Sequence, residues 1–171
     1  MQYWDNILYP SFRATIRGEY YGVVSREFVD EECFHLAERA VSTFKFPRIS
    51  TDYKIFYAMR DKDGNLEEVD PEEYPEAIPH AYLLNELSYS EIEILIAWMK
   101  VYWCENQISN ADNFEEVYTD SQIKTYSRAN ALDKYTKLMA EFRDYARDLE
   151  TRYSRTSAER KPTIGDINSD E

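Results

Sequence analysis

Between Thr119 and Lys161 the chain contains neither glycine nor proline, and this long run constrains the fold more than any other feature. Thr119-Asp-Ser-Gln122 has the form of a capping box, and a helix opened there can continue to about Arg155. That is roughly 35 residues, or about 50 Å at 1.5 Å per residue. A compact domain of 171 residues has a radius of gyration of only about 15 Å. A straight helix of this length outruns its own domain. Along it Ala131, Tyr135, Leu138, Phe142, Tyr145 and Leu149 alternate spacings of four and three, a heptad seam that Leu132, Met139, Ala146 and Tyr153 widen. Asp133/Lys137, Lys137/Glu141 and Asp148/Arg152, each four apart, support the outer face. The pattern predicts a greasy stripe broader than one domain covers, left for neighbouring chains.

The rest of the sequence predicts further helices. From Phe28 to Phe44, Cys33, Leu36, Ala37, Ala40, Val41 and Phe44 form one apolar face, with Asp30, Glu31 and Glu32 in the first turn and Pro47 as the stop. Ser90-Glu-Ile-Glu93 reads as a second capping box, and the helix it opens is apolar nearly all round through Ile92, Ile94, Leu95, Trp98, Met99 and Trp103. Such a helix must be covered on several sides and so is central. Between the two, Tyr53–Met59 and Leu66–Val69 flank Asp63-Gly64 as a β-hairpin. Pro71, Pro75 and Pro79 then argue against regular structure until about Ala81. The expected fold is mainly α: a helical bundle with a long C-terminal helix and a small β-hairpin and acidic-loop insertion. Its parts are an N-terminal arm, 1–27, a helical core, 28–156, with the insertion at about 53–80, and a polar tail, 157–171.

Composition narrows function by exclusion. Twenty Lys+Arg stand against 33 Asp+Glu, a formal charge of −13, so a broad grip on duplex nucleic acid is excluded. Eleven of the acidic residues fall between Asp61 and Glu93 with one lysine. Twenty-six aromatic residues exclude a disordered acidic chain. The first residues hold no apolar core of signal-peptide length, and Ile92–Cys104 is too short to span a bilayer. Cys33 and Cys104 read as reduced core thiols. His35 reads as a surface or packing residue. His80 sits among carboxylates with no second His or Cys at ligand spacing. A calcium loop through Asp61, Asp63 and Gly64 would have Met59 in place of its first ligand and Asp70 in place of the bidentate Glu at its end, so a plain Asp-Gly turn is the better reading. No nucleophile, phosphate-loop or metalloprotease motif occurs, so no enzyme activity, catalytic residue, cofactor or metal is expected.

Phe44-Lys-Phe-Pro-Arg48, Ser90-Glu-Ile-Glu-Ile-Leu-Ile-Ala-Trp-Met99, Lys124-Thr-Tyr-Ser-Arg-Ala-Asn130 and Tyr153-Ser-Arg155 together resemble small virion structural proteins of tailed bacteriophages, of the neck or head-to-tail connector type. The resemblance implies a non-enzymatic subunit of a homo-oligomeric ring, with about twelve-fold symmetry admitted but not fixed. Its implied partners are the portal and other neck or tail proteins, with DNA passing through the lumen unbound and no membrane. Its implied location is the virion, and the host cytoplasm during assembly. The residues expected to contact neighbours are Trp4, Tyr9 and Phe12 of the arm, and Tyr135, Leu138, Phe142, Tyr145, Leu149 and Tyr153 of the seam. The acidic loop suits a channel lining, where like charge keeps DNA from sticking. An alternative is an acidic adaptor or DNA mimic that binds a host nucleic-acid-binding protein through the Asp61–Glu93 patch.

Overall fold

The computed structural model describes residues 2–16, 25–62, 64–113 and 122–158. Its elements are β1 (Gln2–Tyr3), α1 (Trp4–Thr15), α2 (Arg26–Thr43), β2 (Tyr53–Arg60), β3 (Leu66–Glu68), β4 (Ile78–Leu83), α3 (Tyr89–Asn113) and α4 (Gln122–Ala158). The expected opening of the long helix at Thr119, the short piece 114–118 and the end of the tail lie outside the described residues.

The expectation of a mainly helical bundle is overturned. The helices pack with a curled four-stranded antiparallel sheet, half a barrel in shape, in the order β1-β4-β2-β3. The hairpin is present as β2 and β3, with Met59 opposite Glu67. It is not an insertion, because two segments read as irregular join it. Ile78–Leu83 pairs with β2 from Ala58 to Tyr53, and Gln2–Tyr3 pairs with Leu83 and Tyr82.

Pro79 explains why β4 was missed, and register explains why it forms. The Tyr57 carbonyl accepts from the Val69 amide, so the backbone polar groups of Tyr57 face away from β4. Tyr57 opposes Pro79, which makes this a non-hydrogen-bonded pair, and the nitrogen of Pro79 points away from β2. On that outer side β1 reaches only Tyr82 and Leu83, so no ladder bond is lost.

The turn is built for glycine. Gly64 has φ +85° and its amide donates to the Asp61 carbonyl at 3.0 Å. A side chain there meets only the Arg26 guanidinium at 3.5 Å, so space is adequate and the backbone alone resists. Gly64→Ala is expected to cost about 1 kcal/mol, read as a fall of about 3 °C in Tm.

The supposed arm is an integral element. Trp4, Leu8 and Phe12, one helical face, are fully buried with Tyr9, and Trp4 packs on Tyr53 and Phe34. α2 buries Val29, Cys33, Leu36, Ala37 and Ala40 and starts at Ser25, whose hydroxyl accepts from the Phe28 amide. α3 is central as its all-round apolarity requires, burying Ile94, Leu95, Ala97, Met99, Val101 and Cys104. α4 runs antiparallel along it, with Glu91 meeting Tyr153, the Lys100 ammonium over the Phe142 ring, and Trp103 against Tyr135. At 37 residues, α4 extends about 55 Å.

Candidate functional site

Two places concentrate charge in or beside the core. The first is a cleft between α1, the start of α2 and the β2–β3 turn, formed by two adjoining cavities of about 450 Å³ each that share Asp5, Arg26 and Arg60. At its floor Arg60 bridges two carboxylates. Its Nε and Nη2 donate to Asp30 at 3.0 and 2.6 Å, Nη2 approaches Asp5 at 3.3 Å, and Nη1 donates to the Gly64 carbonyl at 2.8 Å. Asp30, expected in the first turn of the helix for its dipole, is almost wholly buried.

His80 completes this network from β4 and is itself fully buried. Its Nδ1 lies 2.9 and 3.1 Å from the Asp5 carboxylate oxygens, and its ring stacks on Phe56. An Asp–His pair of this kind can orient a general base. Here the other ring nitrogen is buried without a protein partner, and the residue lines neither cavity. The arrangement ties α1, α2, β2 and β4 together. Tyr9 lines the cleft with its hydroxyl buried and unpartnered. Burial and the nearby Asp5 push its titration far up, so the phenol stays protonated.

The second place is the base of the α3–α4 hairpin. The capping box that opens α3 is Ser88/Glu91, two residues before the expected Ser90/Glu93. The Ser88 amide and hydroxyl donate to Glu91 Oε2 at 2.8 and 2.7 Å, and the Glu91 amide reaches the Ser88 hydroxyl at 3.4 Å. Glu91 is buried, and its Oε1 accepts from the Tyr153 hydroxyl and from the Ile49 amide at 3.3 Å. The Tyr153 hydroxyl accepts in turn from the Arg48 amide at 3.0 Å, while the Arg48 guanidinium lies 4.2 Å from the Tyr153 ring centre and Phe44 meets its edge. Burial pushes the Glu91 carboxyl upward, but hydrogen bonds from Tyr153, Ser88 and Ile49 together outweigh it and hold it below the ordinary 4.5. The stretches Phe44–Arg48, Ser90–Met99 and Tyr153–Arg155 thus meet around one tyrosine.

The residues expected to contact neighbours divide between core and surface. Trp4, Tyr9, Phe12 and Tyr153 belong to the chain's own core. Tyr135, Leu138, Phe142 and Leu149 are half-buried against α3. Tyr145 is 45% exposed, its hydroxyl donating to Glu93 at 2.8 Å, beside a groove of about 300 Å³ that also takes in Tyr89, Ile92, Ile96 and Lys100. Tyr89, absent from the expected set, is 81% exposed.

Cys33 and Cys104 are free and buried, with burial raising their thiols to about 12 and about 11, so neither is a ready nucleophile. Among the described residues no group of His, Cys, Asp and Glu is placed to hold a metal ion, and no helix is long and apolar enough to cross a membrane. No protein-family model matches the chain, and neither a curated protein nor a solved structure shows significant similarity to it.

Proposed function

We propose that this chain is a non-enzymatic virion structural protein, a ring subunit of the head-to-tail connector of a tailed bacteriophage. The observation that carries the assembly part is the seam of α4. Two paired helices cannot enclose a stripe this wide, and Tyr135, Leu138, Phe142 and Leu149 stay half-buried while Tyr145 and Tyr89 stand in solvent. α3 covers one side of the stripe, and Tyr145 on it remains 45% exposed. The connector part rests on the sequence resemblance, to which the meeting of Phe44, Arg48, Glu91 and Tyr153 gives a physical reason: those stretches build one joint.

The test is the oligomeric state of the full chain, by sedimentation velocity and by imaging of the purified protein with and without portal rings. Concentration-dependent rings, or stable docking on the portal, are expected. Tyr145→Asp should weaken association at least about tenfold, because it places a charge in the centre of an apolar contact. A chain that stays monomeric at high concentration and ignores the portal would overturn the reading.

A further inference from the structure

The cleft bears arginines that its own carboxylates do not saturate. Arg60 is fully engaged by Asp5, Asp30 and the Gly64 carbonyl. Arg13 and Arg26 also line the cleft. The side chain of Arg26 is 58% exposed and comes no nearer than 4.0 Å to Asp30. Arg13 is exposed on α1 and has no ion pair among the described residues. Arg26 also opens α2, where the positive end of an 18-residue helix adds to the local field. Beneath them lies the hydroxyl of Tyr9, a buried polar group without an acceptor. Two guanidiniums lining a cavity, one with no ion pair among the described residues and the other 4.0 Å from its carboxylate, suit an added carboxylate.

The same chain carries the complement in the loop that follows β3. Between β3 and β4 the segment 70–76 is exposed throughout, and Glu72, Glu73 and Glu76 form no ion pair among the described residues. In a molecule of net charge −13 these carboxylates repel one another across copies unless cations receive them.

We propose that the cleft formed by α1, the start of α2 and the β2–β3 turn receives the carboxylates of the 70–76 loop from a second copy of this chain. The contact pairs two different segments of the chain, and repeated head to tail it propagates from subunit to subunit, as a ring requires. The docking rests on the assembly reading above and specifies its contact. It also places the acidic loop at a subunit boundary and not on a channel wall.

A charge swap on the full chain tests it, with association followed by sedimentation velocity at low and at high salt. Arg13→Glu/Arg26→Glu and, separately, Glu72→Lys/Glu73→Lys/Glu76→Lys should each weaken self-association at least about tenfold. An equimolar mixture of the two should restore it, because the unaltered loop of one variant fits the unaltered cleft of the other, and the reversed loop fits the reversed cleft. Circular dichroism verifies folding. Should the double arginine variant misfold, Arg13→Glu alone, at an exposed position, serves in the same comparison. Wild-type assembly that survives both sets of substitutions, or that the mixture fails to restore, would overturn the docking and leave assembly standing. A wild-type chain that never associates would overturn both.

Discussion

Glu91→Ala lowers the stability of the protein by about 3 kcal/mol, or about 10 °C in Tm, without touching the exposed surface. The carboxylate is almost wholly enclosed, and four donors on three residues depend on it: the hydroxyl of Tyr153, the amide of Ile49, and the amide and hydroxyl of Ser88 at the start of α3. Alanine leaves these donors buried without an acceptor and removes the cap at the same time. Glu91→Gln is milder, since the amide oxygen can still accept, but its NH₂ then confronts donors. The pH dependence separates the two contributions. The folded-state titration of Glu91 lies below the ordinary 4.5. The carboxylate therefore contributes stability that is fully present above that value and is lost as pH falls through the folded one. Thermal unfolding followed from pH 7 to pH 3 should show this loss in the wild type and a smaller one in Glu91→Gln. Equal slopes would assign the acid sensitivity to other carboxylates.

The same joint shows where sequence reading succeeds and where it stops. The helices α2, α3 and α4 were legible because apolar residues repeat at three and four over many turns, with caps and a proline stop at the ends. The capping register was not, because Ser88-Tyr-Ser-Glu91 and Ser90-Glu-Ile-Glu93 fit the pattern equally. What selects the first is tertiary: only Glu91 meets Tyr153 and Ile49, partners 62 and 42 positions away. The helix α1 did leave a signal in Trp4, Leu8 and Phe12, each four apart, but Pro10 in its middle obscured it. Burial of that face offsets the hydrogen bond that Pro10 removes. For β4 the proline rule was right about chemistry and wrong about consequence, since a missing amide costs nothing where the neighbouring strand has already ended.

The polar network was the least legible part. Asp5, Asp30, Arg60 and His80 are as much as 75 positions apart, and each sits in a sequence context that suggests a solvated charge or a loop residue. Only the sheet brings them together. Once β1 pairs with β4, Asp5 at the first turn of α1 falls against His80, and the hairpin delivers Arg60 to the start of α2. A fold predicted without β1 and β4 has no means of finding this site. The error in fold class and the missed site are therefore one error.

Arg60→Ala is expected to be the most damaging single substitution in this network, costing about 3 to 5 kcal/mol. The guanidinium holds two carboxylates whose side chains are 3% and 8% exposed. Its removal leaves both charges buried, with Asp5 retaining, among the described residues, only His80 and Asp30 only the 4.0 Å approach of Arg26. Lysine is a poor substitute, because a single ammonium cannot reproduce three directed contacts to Asp30, Asp5 and the Gly64 carbonyl. Adding Asp30→Asn to Arg60→Ala removes one orphaned charge and should recover at least about 1 kcal/mol. Asp30→Asn alone should instead destabilise, so the sign of the same substitution reverses with its background. Chemical denaturation of the four proteins gives the coupling directly. Hydrogen exchange should add that α1 amides lose protection ahead of those in α3, since Asp5 is the polar tie of α1 to the sheet. Strictly additive losses would mean that the two groups merely pack side by side, and that the buried charges are held by something other than each other.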